Sequence, residues 1–167
     1  NIGLFWEAGW KKTIHTDNII KERSIICICY KWEDEKEVYG ISWDSKQNDK
    51  SMLQKFIEVA NTADELVGHN GDKFDLRKAN ARFIAHGFRP PAPYKSIDTL
   101  KIARKHFKFP SNKLGDLGKA LGIGAKLPHT GPHLWFRCME GDVKSWALMR
   151  RYNAMDVALL EKCFLLL

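Results

Sequence analysis

The stretch Glu65-Leu66-Val67-Gly68-His69-Asn70-Gly71-Asp72-Lys73-Phe74-Asp75 changes character twice. Residues 65–69 read as a short strand, glycine, Asn and Asp then make a turn, and residues 74–86 read as a helix. That helix is stopped by Gly87 and the Arg89-Pro90-Pro91-Ala92-Pro93 break. A strand that ends in a turn and opens a helix is the working unit of an α/β domain. Ligand sites in open α/β sheets gather where those strands end. Asp75 stands at that place. A carboxylate there also suits the positive end of the helix macrodipole, so its position alone fits a structural role as well as a chemical one.

Working outward, residues 24–32 (SIICICYKW) and 37–43 (EVYGISW) are rich in β-branched and aromatic residues. The charged Glu33-Asp34-Glu35-Lys36 link between them suits a hairpin. Met52, Leu53, Phe56, Ile57 and Ala60 fall on one helical face, with Asn48, Asp49 and Ser51 as candidate caps. Residues 1–23 show no clear period and read as extended and loop structure. On the other side, Lys95-Ser96-Ile97 is a short extended piece, and Asp98 can cap a helix running through Ile102 and His106. Ser111 or Asn112 is expected to open the next helix, whose Leu114, Leu117 and Leu121 make an apolar stripe ending at Gly122. Residues 123–141 read as a loop, and residues 142–167 as helix with a break near Tyr152 left open. The order predicts an α/β domain with a mixed sheet, an N-terminal antiparallel hairpin followed by parallel strands, flanked by helices.

A chain of 167 residues is long enough for one domain and short for two, so residues 1–167 are read as a single domain. With 44% hydrophobic and 28% charged residues it has the composition of a globular protein. No apolar run approaches the ~20 residues that span a bilayer, and the first residues lack the pattern of a signal peptide. No membrane association and a cytoplasmic location are therefore expected. Cys27 and Cys29 alternate in an apolar run while Cys138 and Cys163 stand alone, which fits reduced thiols better than a disulfide scaffold. The net charge of +7 makes a polyanion a reasonable partner. Basic residues group around Arg104, Lys113, Lys126 and Arg151, and such groups serve equally as solvated helix faces or as phosphate contacts.

A second informative segment is Arg151-Tyr152-Asn153-Ala154-Met155-Asp156-Val157. Helical spacing puts the Tyr152 hydroxyl and the Asp156 carboxylate on one face. A carboxylate can hold a hard divalent cation and a phenol can orient an attacking water, although the pair also occurs by chance on half-exposed helices. Lys126, after Gly122-Ile123-Gly124-Ala125, can approach a phosphate, but Gly-Lys-Ser/Thr is absent and the stretch is no P-loop. His129, His133 and Cys138 lack the Cys pair that would complete a zinc site. Trp135 and Phe136 read as a hydrophobic anchor for their loop rather than as a base-stacking platform.

Taken together and in order, Asn70-Gly71-Asp72-Lys73-Phe74-Asp75, Ser96-Ile97-Asp98-Thr99-Leu100-Lys101-Ile102-Ala103-Arg104 and Tyr152 with Asp156 resemble the DEDD superfamily of 3′ to 5′ exonucleases, phage and bacterial members in particular. The first looks like that superfamily's second motif, and Tyr152 with Asp156 like its third motif in the tyrosine subtype. The resemblance implies a ribonuclease-H-like fold and two-metal phosphodiester hydrolysis with two Mg²⁺ or Mn²⁺ ions. It implies Asp75 and Asp156 as metal ligands, Tyr152 as the residue that positions water, and Asn70, Lys126, Arg104, Lys113 and Arg151 as nucleic-acid contacts. The implied partner is nucleic acid, DNA with a 3′ end, with no small-molecule cofactor. The first motif, Asp-x-Glu on a central strand, should precede the hairpin, yet no such triplet occurs before residue 24; the nearest acids are Glu7 and Asp17. Phe5, Trp6 and Trp10 resemble the segment just after that motif in the family, so the expectation is a domain whose first acidic strand lies upstream of Asn1. Without that pair, the alternative is a catalytically impaired nucleic-acid-binding domain of the same fold.

Overall fold

The computed structural model describes residues 2–3, 17, 19–21, 24–128 and 131–167. Phe5, Trp6, Glu7, Trp10 and His129, singled out in the sequence, lie outside the described residues. Strands come in three pairs. β1 (Ile2–Gly3) pairs antiparallel with β2 (Ile19–Lys21), and β3 (Cys27–Tyr30) pairs antiparallel with β4 (Tyr39–Ser42). β5 (Glu65–Gly68) pairs parallel with β6 (Lys95–Asp98), Glu65 opposite Lys95 and Gly68 opposite Asp98. The expected order of antiparallel hairpin and then parallel strands holds, and with the six helices of the described residues it makes an α/β arrangement.

The helices arise mostly from local signals. α1 (Lys50–Thr62) comes after the hairpin and buries Met52, Leu53 and Ala60, while α2 (Asp75–Ala85) buries Ala79 and Phe83. Leu53, Ala79 and Phe83 meet in one core cluster with Phe56 stacked on Phe83, and burying such a side chain contributes about 1.5–3 kcal/mol. Gly87, at φ 73°, ends α2 as expected. In α3 (Thr99–His106) the Asp98 side chain accepts from the Leu100 N–H, the cap that the sequence predicts.

Three details differ from the expectations, and a fourth answers the question left open at Tyr152. Asp49 occupies the N-cap of α1 but its carboxylate makes no cap bond there, being drawn into a hydrogen-bonded cluster with Arg82 and His86. α4 (Leu114–Ala120) starts at Lys113 rather than at Ser111 or Asn112, because the Ser111 hydroxyl donates to Asp116 Oδ2 at 2.6 Å. The loop expected over residues 123–141 contains α5 (Pro132–Met139), where Gly131 and Pro132 begin the helix instead of preventing it. Proline at a first helical position loses no hydrogen bond and presets φ. Along α5, Leu134 and Cys138 are buried, Trp135 packs beside them and Phe136 is exposed, so Trp135 anchors this segment and Phe136 does not. Finally, α6 (Val143–Leu166) runs without a break through Tyr152, opened by Asp142 accepting from the Ser145 N–H.

α6 organises the rest. Leu159 and Cys163 pack on Leu114 and Leu117 of α4, and Met149 packs on Leu134 and Cys138 of α5. Its other side lies along β3, held by Asn153 Nδ2 donating to Cys27 Sγ at 3.1 Å and by the Lys31–Glu161 ion pair. All four cysteines are free. Among the described residues no helix is long and apolar enough to cross a membrane.

Candidate active site

The turn after β5 is fixed by side chains rather than by ladder bonds. Asn70 takes a left-handed backbone (φ 64°), which Asn tolerates better than most residues. Its N–H donates to Asp98 Oδ1 at 2.8 Å, and the Leu100 N–H donates to the same oxygen at 3.0 Å. One buried carboxylate at the end of β6 thus ties the turn after β5 to the first turn of α3. His69 adds a second tie, its ring nitrogens lying 2.9 Å from the Thr99 hydroxyl and 2.9 Å from the Asn112 carbonyl. Burial lowers its pKa, outweighing the pull of the Asn112 carbonyl and of Asp98, so the ring is neutral at pH 7. The Thr99 hydroxyl in turn donates to the Gly68 carbonyl at 3.0 Å, closing the tie onto the end of β5. These bonds set the start of α2, whose first residue is Asp75. Asp75 is open to solvent, yet the protein behind its carboxyl is enough for desolvation to raise its pKa. Lys78, its own N–H and Lys126 pull the other way, and Asp98 adds to the rise.

The facing wall is α6. Tyr152 and Asp156 lie one turn apart, and between them reaches Lys126 from the loop after α4. Lys126 Nζ donates to Asp156 Oδ2 at 2.5 Å and lies 3.5 Å from the Tyr152 hydroxyl oxygen. Asp156 Oδ1 is buried and has no hydrogen-bond partner among the described residues. Leaving a buried carboxylate oxygen unmatched is costly, and such a group is ordinarily completed by a water, an ion or a ligand. Asn112 Oδ1 is in the same condition.

Between these walls is an open cavity of about 2190 Å³. Residues 24–34, which include β3, line one side and residues 65–72, which include β5, the other. Among the described residues β3 pairs only with β4 and β5 only with β6, so each has an unpaired edge, and both strands border this cavity. Asp75, Tyr152, Asp156, Asn70, Lys126, Arg104 and Lys113 all line it. Of the residues that the resemblance implies as metal ligands, water-positioning group or nucleic-acid contacts, all but Arg151 line this cavity. Arg151 is exposed and does not line the cavity, because one residue along a helix is a rotation of about 100° away from Tyr152.

The sequence profile of the RNase H superfamily matches residues 16–166 of this chain. The chain belongs to the RNase H superfamily. A comparison with curated proteins gives no match. Membership points to nuclease or other nucleic-acid chemistry in general, and the cavity suits such chemistry: lysines and an arginine around carboxylates at the ends of parallel strands.

Nucleases of this superfamily typically use divalent metals, and the donors present fit one in part. Asp75 and Asp156 offer hard oxygen ligands, and the orphaned Asp156 Oδ1 is an unmatched acceptor of the kind a divalent cation satisfies. The set is incomplete, since no group of three or more His, Cys, Asp or Glu among the described residues could hold a metal ion. His133 is exposed on α5 while Cys138 is buried on it, so these two share no site. Two contributors were given no site role in the sequence: Asp98, which reads there as a cap within a segment that resembles the family, and His69, which reads only as the end of a strand. Lys126, expected as a phosphate contact, has its ammonium on Asp156.

Proposed function

We propose that this RNase H superfamily chain is a metal-dependent 3′ to 5′ exonuclease of the tyrosine DEDD subtype, acting on DNA, with residues 1–167 forming one nuclease domain. The observation that carries the reading is the Asp156 carboxylate, one turn from Tyr152, with one buried oxygen unmatched in the wall of the cavity that Asp75 also lines. Asp75 and Asp156 would hold Mg²⁺ or Mn²⁺, whose chemistry when bound is to lower the pKa of water and to neutralise charge on the leaving oxygen. The chain's own groups supply the rest. The Tyr152 hydroxyl orients water beside Asp156. Asp98 and His69 hold the turn that presents Asp75. Arg104 and Lys113 give the cavity rim a positive charge for the phosphodiester backbone, and Asn70 faces the same space.

The two missing carboxylates have a natural place. A strand pairing with an unpaired edge of β3 or β5, both of which border the cavity, would carry its side chains to the cavity wall. An Asp-x-Glu strand there completes the four-carboxylate set, since residues two apart on a strand share a face. If the slot stays empty or takes a strand without acids, a nucleic-acid-binding domain without cleavage results, and the incomplete donor set favours that second reading.

The deciding experiment is cleavage of single-stranded DNA labelled at its 5′ end by the full-length protein in Mg²⁺, Mn²⁺ or EDTA. The expected result is chelator-sensitive release of mononucleotides from the 3′ end. Asp156→Ala and Asp75→Ala should each reduce the rate by at least about 100-fold, and Tyr152→Phe by less. Full activity of Asp156→Ala, or cleavage indifferent to EDTA, overturns the proposal; salt-dependent binding without cleavage supports the second reading.

A further inference from the structure

Lys126 is held by more than its charge. The glycines at 118 and 124 let the loop after α4 dock closely, since a Cβ at Gly118 would stand 2.6 Å from the Gly124 carbonyl oxygen. The loop then delivers the Lys126 stem against Gly115, where a Cβ would stand 3.1 Å from Lys126 Cγ. Residue 115 is thus kept small where the lysine passes. Its ammonium ends on Asp156 Oδ2 at 2.5 Å and beside Tyr152, with Nζ 5.5 Å from the centroid of that ring. Burial works against this charge, but the bond to Asp156 and the fields of Asp156 and Tyr152 outweigh it and raise the Lys126 pKa, so the ammonium persists across the physiological range. Asp75 feels the same charge from the facing wall.

We propose that Lys126 is the resident counter-cation of this site, occupying Asp156 in the metal-free chain, so that divalent cation binding and withdrawal of the Lys126 ammonium are a single exchange. This rests on the metal-dependent reading above and deepens it. A carboxylate cannot keep a 2.5 Å contact to an ammonium on one oxygen and serve a divalent cation fully with both, because the two positive charges repel across the same few ångströms. Lys126 thereby sets the cation affinity: it occupies Oδ2 of Asp156 when no metal is bound and weakens metal binding by the strength of its own ion pair. The withdrawn ammonium, its stem still seated on Gly115, stays at the cavity wall that an anionic substrate faces.

The test is calorimetric titration of Mn²⁺ into the full-length protein without nucleic acid, comparing wild type, Lys126→Gln, Lys119→Gln and Asp156→Asn. Lys119 also lines the cavity, and no bond to Asp156 is among its contacts, so it controls for the general positive field. The expected result is Mn²⁺ binding about fivefold tighter in Lys126→Gln, the scale of a partly exposed ion pair, with Lys119→Gln near wild type and Asp156→Asn strongly weakened. Thermal unfolding gives a second readout: saturating Mn²⁺ should raise the Tm of Lys126→Gln more than that of wild type. Equal Mn²⁺ affinity in wild type and Lys126→Gln, with Asp156→Asn weaker, overturns the exchange and leaves the metal-dependent reading standing. Equal tightening in Lys119→Gln and Lys126→Gln also overturns it, showing a diffuse field rather than a specific counter-cation. Absence of Mn²⁺ binding in both wild type and Lys126→Gln overturns the metal-dependent reading and the exchange with it.

Discussion

Asp49 and Asp156 are both carboxylates taken at least partly out of water, and they are treated in opposite ways. Asp49 is fully buried and fully matched. Its Oδ2 accepts from the Ile25 N–H at 2.8 Å and from Arg82 Nε at 2.9 Å, while Oδ1 meets Arg82 Nη2 and His86 Nε2, each at 2.7 Å. These bonds join the entry to β3, the start of α1 and the end of α2 into one knot. Asp156 has a single lysine on one oxygen and nothing on the other. A saturated carboxylate has no valence left for a ligand and serves the fold; an unsaturated one at a cavity wall is available for chemistry. Burial alone would have pointed to the wrong aspartate.

The sharpest way to break that contrast is to remove each carboxylate and measure stability. Asp49→Ala strands Arg82 and His86 in a half-buried pocket and should cost about 3–5 kcal/mol, read as a large fall in the urea midpoint. An effect under about 1 kcal/mol would remove Asp49 from its structural role. The same knot should govern acid unfolding. Desolvation would raise the Asp49 pKa, but its bonds to Arg82, Ile25 and His86 prevail and lower it from 3.8 to about 2. A depressed carboxylate stabilises the fold in full above its unfolded value, and that stability is lost as the pH falls from about 3.8 through about 2. Asp49→Asn should accordingly flatten the pH dependence of the Tm between those limits.

Smaller effects are expected at the site. Asp156→Asn should shift stability by less than about 1 kcal/mol, since Lys126 is exposed enough to return to water, while metal binding is lost. The mildest effect has the opposite sign. The Asp75 pKa is raised by desolvation, so its ionised form is held at a cost in the fold; Asp75→Asn should raise the Tm slightly at pH 7, the gain fading as the pH falls into the ordinary carboxylate range. A Tm lowered by Asp75→Asn would show that the carboxylate is structural and would turn it into a second Asp49.

Much of this was legible in the chain because it is local. Residues 65–85 declare strand, turn and helix through glycines, an Asn suited to left-handed geometry and an apolar period of helical spacing, and the hairpin does so through β-branched alternation. Tyr152 and Asp156 share a face by helical spacing alone, whatever surrounds them. Expectation and structure part where one residue type supports two local outcomes. Gly131-Pro132 is a helix breaker inside a helix and a helix starter at its first position, and only the burial of Leu134 and Cys138 against Met149 chooses the second.

What the sequence by itself determined is most of the elements and the fold class, since backbone sterics, capping and periodicity act within a few residues. Tertiary structure alone decided the pairings across distance: Asp49 with Arg82 and His86, Lys126 with Asp156, and the excluded Arg151. The number of partners a carboxylate receives depends on which elements pack around it, and no local spacing encodes that.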